Sequence, residues 1–196
     1  MTITSKTQLI QKIHLGMTVD YLFFWGHQPG KVINQSCFSQ WYNAAFSLNN
    51  QNFYSAEQYM MYRKAMLFDD HLAAEKILIT DSAKTAKTIG RTVTGFDPTY
   101  WDKYKFDIVV SGNMAKFSQH PELAAFLVQT QDRILVEASP VDSIWGIGLA
   151  QDHPDAKLPA QWPGENLLGF ALMQVRTQLA NSHGTTTNHH CGDTTL

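Results

Sequence analysis

Glu57 and Lys64 stand seven residues apart in the run FYSAEQYMMYRKAMLFDD, residues 53–70. Seven residues make almost two turns of helix, so the two side chains share a face, one above the other. Met60, Met61 and Phe68 occupy the same face and belong in a core. A carboxylate and an ammonium on an otherwise apolar face cost free energy unless they are paired or used. Ser55 can cap this helix through its hydroxyl, and Gln58, three residues on, can complete a capping box. The plainer alternative is one partly exposed ion pair on a helix.

A second run, LVEASPVDSIWGIG over residues 135–148, has the same character. A β-prone stretch delivers Glu137, then Asp142, to a loop holding Trp145, Gly146 and Gly148. Two carboxylates beside an indole and permissive glycines suit a sugar-processing site: carboxylates stabilise oxocarbenium-like charge, and an indole stacks on a planar base. The alternative is a turn in which Asp142 caps backbone amides and Trp145 is core. Lys116, beside Phe117, and Arg176 are candidate anion binders, set against a solvated helix face. His189, His190 and Cys191 form a cluster with no second ligand pair, so no metal site is assigned. Walker, GxGxxG, HExxH and nucleophile-elbow patterns are all missing.

Positioning these residues falls to a chain of 196 residues, enough for one domain with a real core. The net charge of −2 argues against a broad basic surface for nucleic acid, though not against a small phosphate pocket. Two cysteines without ligand spacing, and no secretory signal or membrane-spanning apolar run, give a cytoplasmic, membrane-free expectation. Residues 1–19 read as a polar lead-in with one short amphipathic helix, and YLFFW at 21–25 as a strand. CFSQWYNAAF reads as strand or irregular aromatic segment and SLNNQN as a loop. Helices are expected over 56–68, 70–79 and 82–90. Another starts at Asp97-Pro98 and runs to about Gln119, and one more spans Pro121 to Val128. DRILVEAS turns β-like, 151–164 is loop, and Leu168, Leu172, Val175 and Leu179 mark a terminal helix. Residues 182–196 read as a disordered polar tail, leaving 20–181 as the domain.

Taken in order, SAEQYMMYRKAMLFDD, TAKTIGRTV, Trp101, MAKFSQHPEL, LVEASPVDSIWGIG and NLLGFALMQVR resemble the YbiA/NADAR family across about residues 20–180. At the front the chain differs: FFWGHQ stands where the family opens on a phenylalanine-serine-asparagine-like segment. The resemblance implies a predominantly helical α+β fold and N-glycosidase activity without metal or organic cofactor. The implied substrates are phosphorylated ribosylamino-pyrimidines early in riboflavin biosynthesis or, alternatively, ADP-ribose attached to guanine, including in nucleic acid. A non-catalytic phosphoribosyl- or ADP-ribose-binding module is the competing class. The family's functional acids fall on Glu57 and Asp142, its site tryptophan on Trp101, and its helix lysine on Lys64. Asp142 would then face C1′, Glu57 would serve as acid or base, and Trp101 would stack. Lys64 would pair a phosphate, tune Glu57 or attack an opened sugar. The expected geometry is a single pocket floored by Trp101.

Overall fold

Local sequence signals set most of the helix boundaries. A computed structural model of the chain describes residues 2–184. Its helices are α1 (Lys6–His14), α2 (Ala56–Leu67), α3 (His71–Leu78), α4 (Ala83–Gly90), α5 (Pro98–Gln119), α6 (Pro121–Val128) and α7 (Leu167–Gly184). The strands are β1 (Tyr21–Phe24), β2 (Phe46–Leu48), β3 (Gln51–Phe53) and β4 (Ile134–Glu137). This is the expected α+β architecture, mostly helical with a few short strands. Five helices open on a side-chain cap of the anticipated type: Ser5, Ser55, Asp70, Ser82 and Asp97 each accept a backbone N–H two or three residues ahead. Pro98 and Pro121 occupy the first helical positions of α5 and α6.

Helix α2 is the hub, packed against α3, α4 and α5. Its residues Ala56 to Met61 are all buried. Gln58 does more than cap. Its Oε1 accepts from Tyr54 N at 2.7 Å, while its Nε2 donates to Ile77 O at 2.9 Å and Thr80 O at 2.6 Å. Ile77 O lies in the last turn of α3 and Thr80 O just beyond it, so this one amide fastens the end of α3 to α2. Gly90, the last residue of α4, lets that helix close on α2, since a Cβ there would run into the Met61 thioether. The glycine of TAKTIGRTV is therefore a packing contact.

Strands β1 and β4 pair in parallel, with Tyr21 opposite Ile134 and Phe24 opposite Glu137. Helix α7 covers β4. The fully buried Asn166 ties the two together, donating from Nδ2 to Leu135 O and accepting at Oδ1 from Glu137 N, both at 2.9 Å. The segment expected as a loop over SLNNQN is instead the hairpin β2–β3. Asn49 and Asn50 turn it with φ of 53° and 61°, the left-handed pair that a two-residue hairpin needs. The segment before it is a 3₁₀ turn over Gln35–Phe38 followed by irregular chain, and Phe38 there packs on Phe24, Phe117 and Phe126.

Two cations lie in this core. Lys116 is fully buried, and its Nζ donates to Cys37 O at 2.7 Å and Ser39 O at 3.1 Å. Burial pulls its pKa down to about 8. Arg176 donates to Thr130 Oγ1 at 2.7 Å and Arg133 O at 2.9 Å. Where an anion-binding role is expected, the structure instead has both residues donating to backbone and hydroxyl oxygens that fasten loops to α5 and α7. Helix α7 continues to Gly184, so the polar tail expected from 182 begins inside it. Residues 185–196, with the His189, His190 and Cys191 cluster, lie outside the described residues.

Candidate active site

The C-terminal ends of β1 and β4, paired in parallel, face the same way. Open parallel sheets bind ligands beyond those ends. Here the chain leaving β1 brings Trp25, Gly26 and His27, and the chain leaving β4 brings Ser139, Asp142 and Trp145, to one cavity of about 770 Å³. Helix α2 contributes Glu57 and Lys64, α4 and its C-cap contribute Lys87 and Arg91, and the segment after the 3₁₀ turn contributes Ser39 and Trp41. Three carboxylates, three cations and three indoles thus meet in one place.

Each acid is positioned by its backbone. Glu57 sits in the first turn of α2, where its N–H donates to Gln40 O at 2.9 Å. Gln40 is itself held by Asn113 of α5, whose Nδ2 donates to Gln40 Oε1 at 2.7 Å. Glu137 is the last residue of β4, and its carbonyl accepts from Ile147 N at 2.9 Å. Asp142 caps the following turn: its Oδ1 accepts from Ile144 N at 2.9 Å and Trp145 N at 2.8 Å. That turn folds back onto β4 only because residue 146 is glycine. A Cβ there would stand 2.8 Å from Glu137 O and 3.0 Å from Asp142 O. The capping role and the cavity role of Asp142 coexist, since both backbone bonds use Oδ1.

The surroundings raise the proton affinity of Glu57 and Glu137. Burial pushes the Glu57 carboxyl up from 4.5 to about 7; Asp142 adds to this, while Lys87, a hydrogen bond from Trp41 and Arg91 act against it. Burial raises Glu137 further, to about 8, with Asp142 and Glu57 adding and Lys87 opposing. A carboxylic acid near neutrality in a cleft is suited to donate a proton. The cations are arranged differently. Lys64 Nζ donates to Gly90 O at 2.8 Å and lies 3.9 Å over the Phe96 ring, and burial lowers its pKa. Lys87 Nζ lies 5.7 Å over Trp41, whose other neighbour is His27 with ring centroids 5.5 Å apart. Trp41 therefore connects a cation, an acid and an imidazole.

Of the residues singled out from sequence, the structure brings Glu57, Asp142, Lys64 and Trp145 together. Lys116, Arg176 and Trp101 are not among the cavity-lining residues. Trp101 packs partly buried against the core from the first turn of α5, its N–H bonded to Asp97 O. The indoles on the cavity are Trp25, Trp41 and Trp145. Sequence reasoning did not single out Trp41, Lys87 and Arg91 as site residues. Lys87 and Arg91 lie i, i+4 inside the TAKTIGRTV block, where an amphipathic helix reading would have placed both on one face. Trp41 sits in irregular chain, where periodicity gives no signal. Among the described residues no group of three or more His, Cys, Asp or Glu could hold a metal ion, and no helix is long and apolar enough to cross a membrane.

Comparison with known proteins converges on one family. The model of the NADAR domain matches residues 23–180. An N-glycosidase of Acanthamoeba polyphaga mimivirus is 45% identical over 166 residues, covering 82% of this chain and 97% of that protein. The chloroplastic riboflavin biosynthesis protein PYRR of Zea mays is 35% identical over 109 residues, 54% of this chain and 16% of that protein. The NMR structure of the Escherichia coli protein YbiA superimposes with a TM-score of 0.70 at 27% identity, covering 89% of this chain and 94% of that one.

Proposed function

This chain belongs to the NADAR family and is an N-glycosidase, and we propose that the bond it hydrolyses is the N-ribosidic bond of a phosphorylated ribosylamino-pyrimidine. The observation that carries the reading is the mixed character of the cavity. Burial raises the Glu57 carboxyl to about 7, so a proton is available near neutrality, and Asp142, Lys64, Lys87 and Arg91 line the same space. Carboxylates alone would repel a phosphate, and cations alone would have no proton to give. The likeness to the maize riboflavin biosynthesis protein supports the pyrimidine assignment.

Cleavage leaves positive charge on C1′ and the ring oxygen and negative charge on the departing nitrogen. Glu57 gives its proton to that nitrogen. Asp142 supplies negative charge next to C1′ through the oxygen not engaged in its turn. Lys87 and Arg91 take the phosphate, and Trp41 and Trp145 hold the base and sugar between them. Lys64, with one N–H committed to Gly90 O, adds positive charge on the phosphate side. A general acid contributes a factor of about 10²–10⁴, roughly 3–5 kcal/mol. The rest comes from charge stabilisation and from positioning anchored by the phosphate.

The test is incubation of the purified chain with a ribosylamino-pyrimidine phosphate and, separately, with ADP-ribosylated guanine, following released base and sugar phosphate by mass. Release from the first alone meets the expectation. Release from the second alone transfers the same chemistry to ADP-ribosyl-guanine. Binding of either without release would make the chain a recognition module and overturn the reading.

A further inference from the structure

We propose that Glu137 is a further catalytic residue, forming with Glu57 an acid pair that shares one proton and delivers it to the departing nitrogen. The proposal rests on the N-glycosidase reading for its substrate and on geometry for the pair. Glu137 Oε2 and Glu57 Oε1 are both buried without any hydrogen-bond partner in the protein, and both residues line the one cavity. Buried polar atoms are normally satisfied, and an orphaned carboxyl oxygen is costly. Gln58, Asn166, Lys116 and Arg176 each make two or more bonds to buried or part-buried oxygens and amides, and the other unpaired buried atoms among the described residues, on Tyr21, Ser36, Gln40 and Asn113, belong to neutral hydroxyl and amide groups. Two unpaired carboxyl oxygens on residues that line one cavity are therefore the groups that one shared proton would satisfy.

The backbone leaves little freedom for another arrangement. Glu137 is locked by β1 pairing, by Asn166 Oδ1 on its N–H and by Ile147 N on its carbonyl. Glu57 is locked by Gln40 O on its N–H within the first turn of α2. Like charges at close quarters cannot both persist in a buried wall, so one proton between two carboxyl groups is the stable occupancy. Burial is the main cause of both raised values, about 7 and about 8, and the charge of Glu57 raises Glu137 further. Lys87 is the cation that acts on both members, and Asp142 is the carboxylate that acts on both.

The cycle closes without any co-reactant except water. The C1′–N bond breaks with its electron pair going to nitrogen, and the shared proton follows to that nitrogen. The pair, now doubly ionised, faces the cation at C1′. Water adds to C1′ and gives its proton back to the pair. The acid of the first step is thus the base of the second.

Glu137→Gln in the full chain tests this. It keeps the size of the side chain and removes the shared proton. The expected result is a folded variant, shown by circular dichroism and thermal midpoint, whose kcat falls by about 10²–10⁴ while KM stays near that of the wild type. Glu137→Asp, which retains the carboxyl on a shorter arm, should recover part of that rate; no recovery together with a raised KM would mark a structural role and overturn the proposal. A folded Glu137→Gln with wild-type kcat would also overturn it. A second readout is independent of substrate. Infrared difference spectra of the wild type at about pH 7 should show the broad band of a proton shared between two carboxyl groups, which both Glu137→Gln and Glu57→Gln remove, leaving at most the sharper band of one isolated buried acid. If the wild type cleaves neither substrate, the glycosidase reading fails, and this band alone decides the acid pair: its loss in both variants sustains the pair, and its persistence in either overturns it.

Discussion

Glu57→Gln separates what the buried acid costs the fold from what it does for the reaction. In the unfolded chain the carboxyl titrates near its ordinary 4.5, and in the folded chain near 7, chiefly because burial penalises the charge. Between those values the folded chain binds more protons than the unfolded one. Stability is therefore fully present below about pH 4.5, falls as pH rises, and stops falling above about pH 7. Each pKa unit is worth about 1.4 kcal/mol, so ionising Glu57 costs the fold on the order of 3 kcal/mol. Glutamine has nearly the same shape and never ionises. The variant should match the wild type near pH 5 and exceed it on the order of 3 kcal/mol near pH 9, the more so because repulsion from Glu137 also disappears. For a chain of this size each kcal/mol moves the thermal midpoint by roughly 2–4 °C, giving roughly 6–12 °C. Over the same range kcat should drop by about 10²–10⁴. Thermal melts of both proteins at the two pH values, with kcat measured alongside, decide the matter. A stability difference that does not change with pH, or a variant weaker than the wild type at alkaline pH, would refute the reasoning.

Four further outcomes are expected. Asp142→Asn should lower kcat far more than it weakens substrate binding, because its charge matters mainly as the cation develops; steady-state kinetics with an equilibrium binding measurement checks the split. Lys87→Met should raise KM by about 10–100-fold, from loss of a charged hydrogen bond worth about 1.5–3 kcal/mol. It should also move the alkaline limb of the kcat–pH profile upward, since Lys87 lowers both Glu57 and Glu137. Gly146→Ala sets a Cβ against backbone at 2.8 Å and 3.0 Å, which displaces the Asp142 turn and should cost on the order of 10² in kcat with the fold retained by circular dichroism. Trp101→Ala should leave kcat and KM unchanged and lower stability on the order of 2 kcal/mol by urea melt; a raised KM would return Trp101 to the site.

The readable parts of this chain were those in which a local rule and the tertiary structure agree. Asp97-Pro98 and Pro121 start helices by fixing a cap and a dihedral angle, and no distant contact opposes them. Glu57 and Asp142 stood out because carboxylates among methionines and glycines conflict with the local pattern, and the cavity resolves that conflict. The Asn49-Asn50 hairpin was missed because the flanking strands are three residues each, too short for alternation to register. Lys116 and Arg176 were hard to place for a different reason. A basic residue on a helix reads as exposed or ligand-facing, and only the tertiary structure shows that its partners are carbonyls far along the chain. Trp101 and Trp41 show the limit for aromatics, because residue type alone does not say which indole reaches a cavity.

The parallel pairing of β1 with β4 sets when this protein can first work. Partners Tyr21 and Ile134 are more than a hundred residues apart, and closing so long a loop is entropically expensive and slow. The helices between them find their contacts locally, α2 with α3 and α4 above all. Glu57 can thus be seated on its helix while Glu137 and Asp142 are still unplaced. The cavity is complete only once β4 has paired, because β4 and the turn after it carry two of its three acids. A product ending short of residue 134 would lack Glu137 and Asp142 altogether, and so is expected to cleave nothing.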